Sequence, residues 1–222
     1  MEVTGCTFAF NSDQVTGGAS GIEAYYGEHF LLEDCWFEGN VSTGGGPVDI
    51  LGVTTSEIRG CTFLNNYSYD LACAGAISFY DTDGILHQNT FWGNKMGWTH
   101  IATASVVCVS HDATVTMTNN IIGGSLNQTA VTGYRGEIIS DCNVYFANEA
   151  GNSYAVDWGP GDIEIDPEFC DVSAFDFTLQ GTSPCLPVNN GNCSERIGAY
   201  GPACGTIGLE PTTWSRLKAS YR

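Results

Sequence analysis

Charge is what this sequence has least of. Asp, Glu, Lys and Arg make up 14% of 222 residues, against roughly a quarter in ordinary globular chains, and only seven of them are basic. A net charge of −18 repels a phosphate backbone, so nucleic acid is excluded as a partner. Long apolar runs are missing as well, and no membrane-spanning segment is expected. The opening residues Met1-Glu2-Val3 are not those of a secretory leader. No CxxC or HxxxH spacing occurs, which removes the common zinc and redox motifs. No 12-residue window in the first 160 positions carries apolar residues at helical spacing, so helices are not expected there.

What is present instead is 28 glycines, many Asn, Ser and Thr, and ten cysteines. An even cysteine count without metal spacing, in a polar chain of low charge, reads as a disulfide-bearing secreted or cell-surface protein. The leader is then expected upstream, with this chain the C-terminal portion of a longer one.

One short phrase recurs: GCTFAFN at 5–11, DCWFEGN at 34–40, GCTFLNN at 60–66 and QNTFWGN at 88–94. Aligned as an apolar residue, then Cys or Asn three later, then an apolar residue two later, six copies result: Val3/Cys6/Phe8, Leu32/Cys35/Phe37, Ile58/Cys61/Phe63, Leu86/Asn89/Phe91, Met117/Asn120/Ile122 and Ile139/Cys142/Val144. A second series, Ile22, Val48, Ile77 and Val106, keeps the same drifting period. Short β-alternating stretches joined by Gly and Asn, at intervals of about 22–30 residues, predict coils that stack on one another. In such a stack, like residues line up about 4.8 Å apart. A second Asn column (Asn11, Asn40, Asn66, Asn94) predicts side-chain amides hydrogen-bonded from coil to coil. Four Asn-x-Ser/Thr sequons, at Asn40, Asn66, Asn127 and Asn192, are read as structural in such a repeat.

These phrases resemble the repeats of right-handed parallel β-helix proteins, the pectin-lyase-like superfamily, over about residues 1–160. The stretch DIEIDPEFCD…DFTLQGTSPC…IGAYGPACG at 162–205 is similar to the closing segment of secreted bacterial members. The resemblance implies an all-β solenoid of about six coils. It leaves activity open, because the superfamily mixes lyases, hydrolases, epimerases and adhesins. The organisation expected is β-helix over 1–160, a Cys-rich C-terminal cap over 161–205, and a linker and tail over 206–222. In the cap, Cys170, Cys185, Cys193 and Cys204 suggest two disulfides, Cys170–Cys185 and Cys193–Cys204, with the other connectivities still open. Cys6, Cys35 and Cys61 are expected to be free thiols lining one column.

Three constellations carry chemistry. Glu23 and Asp49 point outward on adjacent coils, a pair that a carboxylate-based glycosidase or a Ca2+-assisted lyase would use; Arg59, beside His87, is the one imaginable base. Asp81 and Asp83 form an Asp-x-Asp-Gly fragment that would suit Ca2+, although Asp and Gly are also ordinary turn formers. Trp36, Trp92, Tyr25 and Tyr80 face outward beside threonines, an arrangement that lies well against sugar rings. The polygalacturonase-like signatures are missing. The reading is therefore a non-catalytic, monomeric module that binds a polysaccharide or cell-surface glycan, with no cofactor beyond a Ca2+ ion at Asp81 and Asp83. A polysaccharide lyase or hydrolase is the alternative.

Overall fold

The structure, a computed structural model, describes residues 1–13, 18–69, 73–97 and 103–204; the expected linker and tail, 206–222, lie outside these. Each coil lays one short strand on each of three parallel sheets. Ile22–Tyr25, His29–Glu33 and Trp36–Glu38 form one coil, and Val48–Leu51, Thr55–Arg59 and Thr62–Leu64 the next. The first sheet runs from Glu2–Thr4 through His29–Glu33 to Glu137–Asp141 and has six strands. The second runs from Thr7–Ala9 to Ile163–Glu164 and has seven, and the third runs from Ile22–Tyr25 to Ser153–Tyr154 and has six. A short three-stranded sheet (Val41–Ser42, Tyr67–Ser68, Lys95–Met96) completes the perimeter.

Three corners bend each coil, and each corner is a residue with positive φ. Gly5, Asp34, Gly60, Gln88, Asn119 and Cys142 stand before the second sheet. Phe10, Gly39, Asn65, Gly93, Gly124 and Ala147 stand after it, and Tyr26, Gly52, Asp81, His111, Arg135 and Ala155 after the third. Left-handed backbone favours Gly, Asn and Asp, which accounts for their recurrence at the joints. The strained position precedes the ladder residue, so the ladder Asn itself is free to point inward.

Both ladders form. Asn40 Oδ1 accepts from the Asn11 amide nitrogen at 3.1 Å and its Nδ2 at 2.9 Å. Asn66 Oδ1 does the same for Asn40, and Asn94 for Asn66. Each Nδ2 also donates to a carbonyl of the preceding coil, as Asn66 does to Phe37 at 3.1 Å. The other ladder reads Cys6, Cys35, Cys61, Asn89, Asn120, Asn143. It ends at Asp162, whose Oδ1 accepts from Asn143 N and Nδ2. A carboxylate accepts but has no donor to pass on.

The last coil corrects the expected register by one residue. Ser140, Asn143 and Tyr145, not Ile139, Cys142 and Val144, occupy the repeat positions, because Met117 pairs with Ser140 and Ile122 with Tyr145. A one-residue slip exchanges inside and outside, so Ile139 is 51% exposed and Cys142 becomes a corner. In the second series, Ile77 pairs with Val107 rather than Val106.

Inside, Phe8, Phe37, Phe63 and Phe91 stack at 4.8, 4.8 and 5.0 Å between centroids. Burial of each such ring contributes about 1.5–3 kcal/mol, and offset stacking adds to it. Ile122 and Tyr145 continue the column, and Trp158 closes it, parallel to Tyr145 at 4.9 Å.

The segment after the coils does not sit on the end of the solenoid alone. It folds back along the outer face of the second sheet, where Phe169, Phe177, Leu179, Leu186 and Ile197 pack on Leu64, Ile121 and Val144. The disulfides are Cys142–Cys193, Cys170–Cys204 and Cys73–Cys108, which replaces the expected Cys170–Cys185 and Cys193–Cys204. Cys185 is a free thiol buried in the segment's core, its pKa pushed up to about 12 by burial. The difference follows from Cys142, which stands at a corner and not in the ladder. Once it turns into a corner it points outward and meets Cys193. Cys6, Cys35 and Cys61 are free, with Cys6 exposed and the other two buried.

Candidate functional site

The outer face of the third sheet carries the acidic pair. Glu23 and Asp49 are in register on neighbouring strands, followed by Ser78, Cys108 and Thr132. Glu23 is exposed, and its Oε1 accepts from the Ala19 amide at 2.6 Å. Asp49 is half-buried because the turn at Gly45 lies against it; a Cβ on Gly45 would stand 2.7 Å from Asp49 Cβ. Tyr25 Oη donates to Asp49 Oδ2 at 3.3 Å. Burial, reinforced by the Glu23 charge, pushes the Asp49 carboxyl up to about 6. Tyr25 rises to about 12 through burial and the charges of Asp49 and Glu23. From the third strand onward this column is closed over: Ser78 is buried, and Cys108 is tied by its disulfide to Cys73.

Next to it, at the corner between the third and first sheets, lies an open groove of about 320 Å3, lined by Tyr26, Gly52, Val53, Thr54, Asp81, Thr82, Asp83 and Asp112. The Tyr26 ring lies over Gly52, where a Cβ would stand 2.7 Å from it, and Tyr26 is 77% exposed. The Thr82 hydroxyl donates to the Val53 carbonyl, which pins the groove floor. Tyr80 stacks on His111 with centroids 3.9 Å apart. Asp81 and Asp83 thus enter one groove with Asp112. Among the described residues, no three His, Cys, Asp or Glu side chains converge to hold a metal ion. Tyr26 was not foreseen as a site residue. It follows the outward Tyr25 of the third sheet, whereas Asp112 follows the corner residue His111 one coil after Asp81, and both stand at left-handed positions.

The structure does not bring the remaining candidates to this face. Arg59 belongs to the first sheet, where it pairs with Glu33 at 2.8 Å and Glu57 at 2.9 Å; it supplies no base to Glu23 and Asp49. His87, its column neighbour, contacts Glu195 at 3.0 Å and Thr118 Oγ1 at 2.9 Å. Trp36 and Trp92 point outward from the second sheet as expected, but the folded-back segment covers them. Phe177 lies 6.3 Å from Trp36 and 6.2 Å from Trp92, and Phe169 meets Trp92 edge-on at 5.5 Å. Thr62 and Thr90 are likewise occupied, by Tyr200 Oη at 2.8 Å and the Ala199 amide at 3.0 Å. These two tryptophans are part of a second core and present no ring to a sugar. Sequons Asn40 and Asn66 are buried ladder members.

No described helix is long and apolar enough to cross a membrane. Comparison with curated proteins returns no match, and comparison with solved structures returns none. Residues 1–104 match the family model described as right handed beta helix region. That match, and coils that continue to Ile163–Glu164, give the chain a right-handed parallel β-helix fold, consistent with the pectin-lyase-like superfamily.

Proposed function

We propose that the chain is a secreted or cell-surface module, monomeric and non-catalytic, that binds a carbohydrate along the face formed by Tyr25, Tyr26 and Tyr80. The observation that carries this reading is the groove at the corner. Tyr26 offers an exposed ring flanked by the carboxylates of Asp81, Asp83 and Asp112. Flat rings lie against sugar faces, and carboxylates accept from sugar hydroxyls. With −18 overall, neutral or cationic glycans suit the face, and polyuronates are repelled unless a cation such as Ca2+ bridges them. The three disulfides fit an oxidising compartment.

The test is a screen of neutral, amino-sugar and uronate polysaccharides, with and without Ca2+, against the native chain and Tyr26→Ala. Binding to a neutral or amino-sugar polymer that weakens at least tenfold in Tyr26→Ala supports the reading. Binding that is indifferent to Tyr26, Tyr25 and Tyr80 together overturns it.

A polysaccharide hydrolase or lyase is the second reading, favoured by the neighbouring Glu23 and Asp49 with the latter held near 6. A carboxyl raised toward neutral pH beside a second carboxylate is the kind of arrangement an acid role uses. Release of new chain ends that disappears in Asp49→Asn would establish it.

A further inference from the structure

The ladder that is asparagine on three coils is cysteine on three others, and those thiols are unequal. Cys6 is exposed, whereas Cys35 and Cys61 are buried, and none is in a disulfide. Cys6 and Cys35 face each other on adjacent strands: the Cys6 amide donates to Cys35 Sγ at 3.3 Å, and Trp36 N to Cys6 O at 2.8 Å. Neighbours in a parallel sheet stand about 4.8 Å apart, inside the Cα window of a disulfide, roughly 4.4–6.8 Å. Parallel Cβ atoms keep nearly that spacing, more than the roughly 3.5–4.5 Å a disulfide takes, so one side chain must swing. Cys6 is the one free to do so, since its thiol is exposed and held by a single bond, to the Thr4 carbonyl at 3.3 Å.

We propose that Cys6 and Cys35 form a reactive dithiol that reduces a low-molecular-weight disulfide and closes to a fourth intramolecular disulfide. The Cys6 thiolate attacks one sulfur of the small disulfide, forming a mixed disulfide and releasing one thiolate. The Cys35 thiolate then attacks Cys6 Sγ and displaces the second. Two electrons pass to the small disulfide, and the protons of the two protein thiols end on the two small thiols. Cys61 prepares the second step. The Cys35 amide donates to Cys61 Sγ at 3.4 Å, which fixes the Cys35 corner, and the Cys61 thiol, kept protonated by burial, does not compete as a nucleophile.

The test treats the full chain with glutathione disulfide, then alkylates and maps thiols by mass spectrometry. Of the four free cysteines, two are expected to disappear, with a Cys6–Cys35 cross-link and two glutathiones released per chain. Closure should accelerate as pH rises and more thiolate forms. Cys35→Ser should stop at the Cys6–glutathione adduct, while Cys6→Ser should leave Cys35, Cys61 and Cys185 unmodified. A native chain that stops at the Cys6 adduct, or a Cys6→Ser chain whose Cys35 reacts at the native rate, overturns the proposal. Cys6→Ser changes an exposed group and keeps the test decisive even where Cys35→Ser fails to fold.

Discussion

Two outer faces of one solenoid obey the same in-and-out alternation and meet opposite fates. On the second sheet, Trp36, Thr62 and Trp92 point away from the coil and are then covered by Phe169, Phe177 and Tyr200. On the third sheet and its corner, Tyr25, Tyr26 and Tyr80 point away from the coil and remain in water. Alternation decides which side of a strand a residue takes. What lies on that side is decided by chain that does not repeat.

The sharpest way to break the contrast is to uncover the second sheet. Phe177→Ala removes the ring wedged between the two tryptophans and should cost about 3–5 kcal/mol in urea unfolding, with tryptophan emission shifting to the red. Asn66→Ala tests the coil beneath both faces. It orphans the buried Asn40 amide and the Phe37 carbonyl, for a loss of about 3 kcal/mol. Asn11→Ala, on an exposed rung, should cost well under about 1 kcal/mol. Replacing Cys142 and Cys193 by Ala releases the covering segment across 51 residues and should cost about 2–4 kcal/mol by denaturant titration.

On the open face the effects are smaller and have a different sign. The folded Asp49 carboxyl lies above its ordinary value, so folding favours its neutral form. The stability it contributes is complete below about pH 4 and is lost as pH rises to about 6. Asp49→Asn should therefore stabilise the chain by about 1–2 kcal/mol at pH 7 and flatten its stability profile between those values. Tyr26→Ala should leave stability within about 0.5 kcal/mol while weakening glycan binding tenfold. A large stability loss there would erase the difference between the faces.

Most of the solenoid was legible because stacking forces like residues into columns, and columns recur in sequence. The Phe stack, the Asn11–Asn94 ladder and the Cys6–Cys61 column could all be read from spacing. The last coil misled because DCNV offers both a Cys and an Asn at adjacent positions, and only pairing with Asn120 selects Asn143. Glu23 and Asp49 were placed correctly as neighbours, since register within the third sheet is set by Ile22 and Val48. The fate of Trp36 and Trp92 was not legible, because Phe169 and Phe177 lie more than 75 residues on, in a segment with no period. The groove was half legible: Asp81 and Asp83 were visible as a motif, but Tyr26 and Asp112 join them only through the corner.

The ladders also have a direction. In one, Asn11, Asn40 and Asn66 each donate to the Asn of the next coil; in the other, Asn89, Asn120 and Asn143 do the same until Asp162 ends that series. A coil such as 60–87 therefore carries a socket on one side and a plug on the other. A coil can thus be added in one orientation only, and one inserted beneath the folded-back segment would move Thr62 and its Tyr200 contact one rung further from Thr90 and its Ala199 contact. The repeating part of the molecule can grow by whole rungs, but the segment that covers it sets its length.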